Sequence, residues 1–171
     1  DFLYDYAIPV LNRTADEGQP FFATLLSISN HPPYVIPPYF HPRTDKPETQ
    51  IVEYADWALR KFFEEARKQS WFENTIFVLE GDHGKLVGDA ECELPQSYNH
   101  IPLMIYSNSI TPAEHTAFGG QIDIQPTVLG LLGIDYLQNN FGVDLLKEER
   151  PCMFYTADNM IVGRNATQLY M

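Results

Sequence analysis

The feature that most constrains this chain is an apolar run that ends in a charged pair. Thr75-Ile76-Phe77-Val78-Leu79 is β-branched, aromatic and uninterrupted, and Gly81-Asp82-His83-Gly84 follows one residue later. Such a run predicts a buried strand. A carboxylate and an imidazole then stand side by side where that strand ends. In regular strand geometry, neighbouring side chains point to opposite faces. The flanking glycines free the backbone from that geometry, so both side chains can aim at one point. Oxygen from Asp82 and nitrogen from His83 make a typical donor pair for a divalent metal. The plain alternative is a polar turn closing a strand.

Around this stretch the pattern alternates between helix and strand. Phe2, Leu3, Tyr6, Ala7, Val10 and Leu11 recur at helical spacing across residues 1–15, with Pro9 as a disturbance. Asp16-Glu17-Gly18-Gln19-Pro20 reads as a turn. Phe21 to Ile28 is a continuous apolar run read as a second buried strand, ending at Ser29-Asn30-His31-Pro32-Pro33-Tyr34. Six of the 13 prolines fall between Pro32 and Pro47, which excludes helix or inner strand and predicts a stiff surface loop.

A long helix is predicted from Glu48 to about Gln69. Its inner stripe is Ile51, Val52, Ala55, Ala58, Leu59, Phe62, Phe63 and Ala66, with Trp71 and Phe72 beneath its end. Residues 85–99 read as a polar loop, and His100 to Tyr106 as a further strand. Asp123 to Gly133 reads as a helix, with Asp123 placed to cap its start and Gly133 to end it. Phe141–Leu146 is a docking turn. Met153–Thr156, Met160–Val162 and Thr167–Tyr170 suggest a small meander with turns at Asn159 and Asn165. The order predicts an α/β fold: a mixed, mainly parallel sheet flanked by helices, with a small terminal antiparallel meander. No repeat or linker divides it, so residues 1–171 read as a single domain.

Eleven basic against 23 acidic residues give a net charge of −12. Such a surface repels phosphate backbones, which argues against nucleic-acid binding. Cys92 and Cys152 make neither a disulfide framework nor a metal motif; two free thiols are the plain reading and one pairing the alternative. No apolar run approaches the roughly 20 residues of a membrane helix, so the segment itself reads as soluble.

Three histidines lie near strand ends. In an α/β sheet, ligands bind beyond the carboxyl ends of strands. His31 and His83 both follow such ends. His100 precedes its strand, and joins them only if the intervening loop folds back or that strand runs antiparallel. His41 and His115 read as surface residues. Glu80 is either an acid near the pair or a surface group.

Taken in order, Ser29-Asn30-His31-Pro32-Pro33-Tyr34, Asn74-Thr75-Ile76-Phe77-Val78 with Gly81-Asp82-His83-Gly84, His100-Ile101-Pro102-Leu103, and Asp123-Ile124-Gln125-Pro126-Thr127-Val128-Leu129 with Leu132-Gly133-Ile134 form a set. It resembles the C-terminal part of the sulfatase and alkaline-phosphatase superfamily, and within it the lipoteichoic-acid-synthase-like phosphoglycerol transferases. The resemblance implies an alkaline-phosphatase-like fold, of which these residues are an incomplete C-terminal part. It implies a metal-dependent phosphodiester transferase that works through a covalent Thr or Ser intermediate. It matches Asp82 and His83 to metal ligands, His31 to the contact with the transferred phosphoryl group, and His100 to a basic anion contact. Asp123 and Pro126–Leu129 match a structural signature. The nucleophile and a further acidic ligand would lie upstream of the segment matching Asp1, so this segment alone would be inactive.

The metal implied is manganese (Mn2+) foremost, with Zn2+, Mg2+ or Ca2+ as alternatives. The substrate implied is an anionic phospholipid-derived, phosphate or sulfate ester. The parent protein is expected in the cell membrane with its catalytic part outside the cytoplasm. The competing readings are a sulfatase, a phosphoethanolamine transferase, or a binding module that has lost catalysis.

Overall fold

The computed structural model describes residues 1–85, 96–157 and 159–171. The chain divides into two compact units, the first comprising Asp1–Glu80 with Pro102–Ile110 and the second Gly81–Ile101 with Thr111–Met171.

The first unit is built on two helices, α1 (Phe2–Asp16) and α2 (Pro47–Ala66). Pro9 lies within α1 without ending it, on the exposed side, while Ala7 and Leu11 face inward. Pro47 opens α2 at its first position, where a missing N–H costs nothing. Ile51, Tyr54, Ala58, Phe62 and Ala66 are its buried residues. Tyr54 therefore joins the inner stripe, and the expected Val52 faces out, half exposed. Trp71 and Phe72 close the core beneath the helix end as expected. Strand β1 (Phe77–Glu80) pairs antiparallel with β2 (Leu103–Tyr106), with Phe77 opposite Tyr106 and Glu80 opposite Leu103. Phe77 and Tyr106 stack within the ring cluster of Phe62, Phe63, Phe72 and Trp71. The proline-rich segment before α2 holds no helix or strand, as its composition requires.

Two sequence expectations are corrected here. Phe21–Ile28 is not a buried strand. Phe21 packs edge-on against Trp71, but Phe22 is 90% exposed, Leu26 74% and Ile28 80%. A strand needs a neighbour to satisfy its backbone groups, and no described residue forms a ladder with this run. The pairing is also not mainly parallel among the described residues: both sheets are antiparallel. Apolar runs give strand propensity but not partner or direction.

The second unit contains the short helix α3 (Gln96–Asn99), a 3-10 turn over Gln121–Asp123 leading into α4 (Ile124–Leu131), and a three-stranded meander. Gly133, at φ +64°, ends α4 in the left-handed conformation that glycine accepts most easily. The meander runs β3 (Met153–Ala157), β4 (Met160–Arg164) and β5 (Leu169–Tyr170) in sequence order. Its turns fall where expected: Asn159 takes φ 62°, and the Asn165 side chain accepts the N–H groups of Thr167 and Gln168.

At the centre of this unit Asp123 is fully buried. Its side chain does not cap α4, contrary to the expectation. It accepts the N–H of Gly120 and of Val143, each at 2.8 Å, and the guanidinium of Arg150 binds both its oxygens. That pairing raises the Arg150 pKa. Buried carboxylates persist only when so partnered. Thr127 adds a second clasp, donating to the Asp123 carbonyl at 2.7 Å and accepting the Leu145 N–H at 3.0 Å. Gly142 is required by the same docking turn, since a Cβ there would fall on the Ile122 carbonyl oxygen.

Candidate functional site

The Asp82–His83 pair opens the second unit, directly after β1 ends. Both side chains are largely exposed, at 79% and 62%. Asp82 Oδ1 accepts the backbone N–H of His83 at 3.0 Å. His83 Nδ1 lies 2.7 Å from the carbonyl oxygen of Gly84. A carbonyl can only accept, so Nδ1 is the donor here, and a ring protonated at Nδ1 alone leaves the Nε2 lone pair for another partner. The imidazole stacks on Tyr98, with ring centroids 6.4 Å apart and planes within 13°. Tyr98 in turn accepts the Gly84 N–H through its carbonyl at 2.8 Å. One glycine thus ties the ring through its own carbonyl and the ring's stacking partner through its amide.

These bonds leave Asp82 Oδ2 and His83 Nε2 facing each other at 3.9 Å. Two donors bonded to one ion at about 2.0–2.2 Å each can be separated by at most about 4.3 Å. The spacing lies within that limit, and an oxygen with an imidazole nitrogen suits a divalent cation. Among the described residues no group of three or more His, Cys, Asp or Glu side chains forms a metal site. The pair by itself does not complete such a group.

His100 lies on the stretch that runs beside this loop. Gly81 faces Ile101, where a Cβ would sit 3.5 Å from Cγ2, and Gly84 bonds to Tyr98. The antiparallel course of β2 is the condition under which His100 could approach Asp82 and His83. The imidazole of His100 is exposed. His31 belongs to the first unit, exposed at the start of the proline-rich loop, with Nδ1 3.2 Å from the Pro32 carbonyl oxygen. That contact leaves its Nε2 outward. His41 and His115 are exposed, and so is Glu80 at the end of β1. Cys152 is a free, exposed thiol, whereas Cys92 lies outside the described residues.

Sequence reasoning did not single out Gln121, Tyr98 or Arg150. The side-chain amide of Gln121 donates to two consecutive carbonyls of the Asp82–His83 loop, Gly81 O at 3.2 Å and Asp82 O at 3.0 Å. The only local signal was its place two residues before Asp123.

The sulfatase family matches residues 1–134. This chain belongs to the sulfatase family. Its similarity to known members extends over most of its length. It is 29% identical over 161 residues to lipoteichoic acid synthase 1 of Bacillus subtilis, covering 77% of this chain and 24% of that protein. It is 30% identical over 161 residues to the lipoteichoic acid synthase of Staphylococcus saprophyticus, covering 79% and 24%. The chain thus spans about a quarter of the length of these relatives. Among solved structures, a protein of the alkaline phosphatase superfamily from Vibrio parahaemolyticus superposes with a TM-score of 0.86 at 28% identity, over 98% of this chain and 42% of that one. The lipoteichoic acid synthase LtaP from Listeria monocytogenes superposes with a TM-score of 0.72 at 26% identity, over 95% and 51%. The α/β, alkaline-phosphatase-like fold expected from the ordered motifs is therefore the fold of this sulfatase-family chain.

Proposed function

We propose that this chain is part of a metal-dependent phosphoglycerol transferase that acts outside the cytoplasmic membrane on lipid-linked or glycan substrates. The similarity to proteins named lipoteichoic acid synthase supports the transferase reading at the level of the family. The observation that carries the metal assignment is the 3.9 Å approach of Asp82 Oδ2 to His83 Nε2, with Nδ1 committed to Gly84.

In this reading Asp82 and His83 hold the cation, Mn2+ foremost on the sequence resemblance. A divalent cation there supplies charge neutralisation at the phosphodiester oxygens and a lowered pKa for an attacking hydroxyl. Asp82 contributes a formal negative charge, and His83 a neutral nitrogen held in one tautomer by Gly84. His31 is assigned the contact with the transferred phosphoryl group and His100 an anion contact, both on the sequence resemblance. The nucleophile, further ligands and membrane anchoring are assigned to other parts of the parent protein. No helix among the described residues is long and apolar enough to cross a membrane. A chain of net charge −12 also needs a cation to admit an anionic ester.

The test is Mn2+ titration of the intact protein, followed by turnover of a glycerophospholipid carrying a phosphoglycerol headgroup. Asp82→Asn and His83→Gln should each weaken Mn2+ binding by about 100-fold or more and abolish transfer. Unchanged Mn2+ affinity in both variants would remove the metal assignment. Hydrolysis of a sulfate ester with no phosphoglycerol transfer would favour the sulfatase alternative.

A further inference from the structure

Gln121 is exposed, lies 39 residues from Asp82 in sequence, and belongs to none of the motifs that mark the family resemblance. Its side-chain amide carries two protons and places them on the two carbonyls that flank the Asp82 Cα, those of Gly81 and Asp82. The orientations of two successive peptide planes fix φ and ψ of the residue between them, and so the direction of its Cα–Cβ bond. Resting on the metal assignment above, we propose that Gln121 is a positioning residue: it sets the backbone of Asp82 so that the carboxylate meets the imidazole of His83.

Three further observations carry this. First, among the described residues no other side chain donates to the Gly81 or Asp82 carbonyl. Asp82 and His83 are largely exposed, and the glycines on either side leave the backbone free to take other conformations. Second, Gln121 is itself firmly mounted. It begins the 3-10 turn Gln121–Asp123, closed by Asp123 N–H to Gly120 O at 2.9 Å and by Gly120 N–H to Asp123 Oδ2 at 2.8 Å. The Asp123 carboxylate is in turn fully buried against Arg150. A rigid polar core thus reaches the loop through one side chain. Third, the imidazole is independently fixed by Gly84 and Tyr98. Asp82 is the half of the pair that depends on Gln121. Partners of this kind around metal ligands typically change affinity by about 10–100-fold when removed.

The experiment compares the intact protein with Gln121→Met, which keeps the length and removes both donors, and with Gln121→Glu, which faces both carbonyls with an acceptor. In metal-free protein, exchange of the His83 amide, which Asp82 Oδ1 accepts, should accelerate about tenfold in the Met variant and at least as much in the Glu variant, while the Gly84 amide, held by the Tyr98 carbonyl, keeps its rate. The thermal midpoint should move by less than about 2 °C, because the site is exposed. Mn2+ affinity, read by calorimetry with the ion alone, should fall about 10–100-fold. A wild-type exchange rate at the His83 amide in both variants would overturn the proposal. So would acceleration spread evenly over the second unit, which would make Gln121 an ordinary structural contact. Asp82→Asn separates the two claims. If that variant keeps wild-type Mn2+ affinity the metal assignment falls, and amide exchange still decides the role of Gln121.

Discussion

In the first unit Phe62, Phe63, Phe72, Phe77 and Tyr106 lie ring against ring, whereas the most deeply buried side chains of the second include a carboxylate, Asp123, and a hydroxyl, Thr127. The aromatic cluster is held by area and shape, which are non-directional. The Asp123 cluster is held by hydrogen bonds, each of which requires a particular partner at a particular angle. The first arrangement tolerates repacking among apolar residues of similar volume. The second specifies where Gly120, Val143 and Arg150 must be, and through the turn that carries Gln121 it adjoins the Asp82–His83 loop. The difference teaches that partner-specific hydrogen bonds organise the second unit around Asp123, while the helices and ladder of the first unit are built by apolar burial.

This contrast can be broken by substitution. The largest effects should be comparable in size and different in kind. In the intact protein Phe62→Ala should cost about 3–5 kcal/mol by leaving a cavity, whereas Phe62→Leu recovers much of that. Arg150→Met should also cost about 3–5 kcal/mol, because it leaves the buried Asp123 without its counter-charge. Removing both charges, as Asp123→Leu with Arg150→Met, should not restore stability. The Gly120 and Val143 amides then lose their acceptor, at about 1–3 kcal/mol each. Recovery to wild type in urea denaturation would mean that the second unit, too, is held chiefly by burial.

Smaller effects sharpen the same point. Thr127→Val keeps the volume and strands the Leu145 N–H, and should lower stability by about 1–3 kcal/mol in the same measurement. Gly133→Ala meets a left-handed backbone and should cost about 1–2 kcal/mol, seen as a lower thermal midpoint. The smallest effect concerns an exposed clamp in the first unit. The Glu53 carboxylate accepts the N–H groups of Arg43 and Thr44, each at 2.9 Å. Hydrogen bonding to the Thr44 side chain, then the Arg43 backbone N–H, holds its pKa below the ordinary glutamate range. The folded value is depressed, so its contribution is present above the unfolded pKa and is lost as pH falls through the folded one. Glu53→Gln should therefore lower stability slightly at neutral pH and leave it unchanged in strong acid, below the folded pKa, which flattens the acid side of the stability profile in urea denaturation.

The two units also differ in how much of them was legible in the sequence. Helix α2 follows from apolar residues at helical spacing, and β1 from an unbroken apolar run. Even there, the period placed Val52 inside and missed Tyr54, whose phenol and ring make it read as neither polar nor apolar. Phe21–Ile28 has strand composition, but its pairing depends on a neighbour that residue type does not reveal. In the second unit the turns at Asn159 and Asn165 and the stop at Gly133 were readable, because each residue acts on its own backbone. Asp123 was not: a lone aspartate before a helix reads as a cap, and its real partner is 27 residues away at Arg150. The candidate pair Asp82–His83 was visible because its members are adjacent. Gln121 was invisible because its contacts are long-range and its type is unremarkable.

The open run at Phe22, Leu26 and Ile28 has a consequence for handling the molecule. Neighbouring copies carrying such a ridge attract one another through it, and what opposes that attraction is mutual repulsion from a net charge of −12. High salt screens this repulsion, and acid titrates it away. Colloidal behaviour, not unfolding, should then set the conditions in which the chain stays dispersed: dilute, near neutral and at low ionic strength.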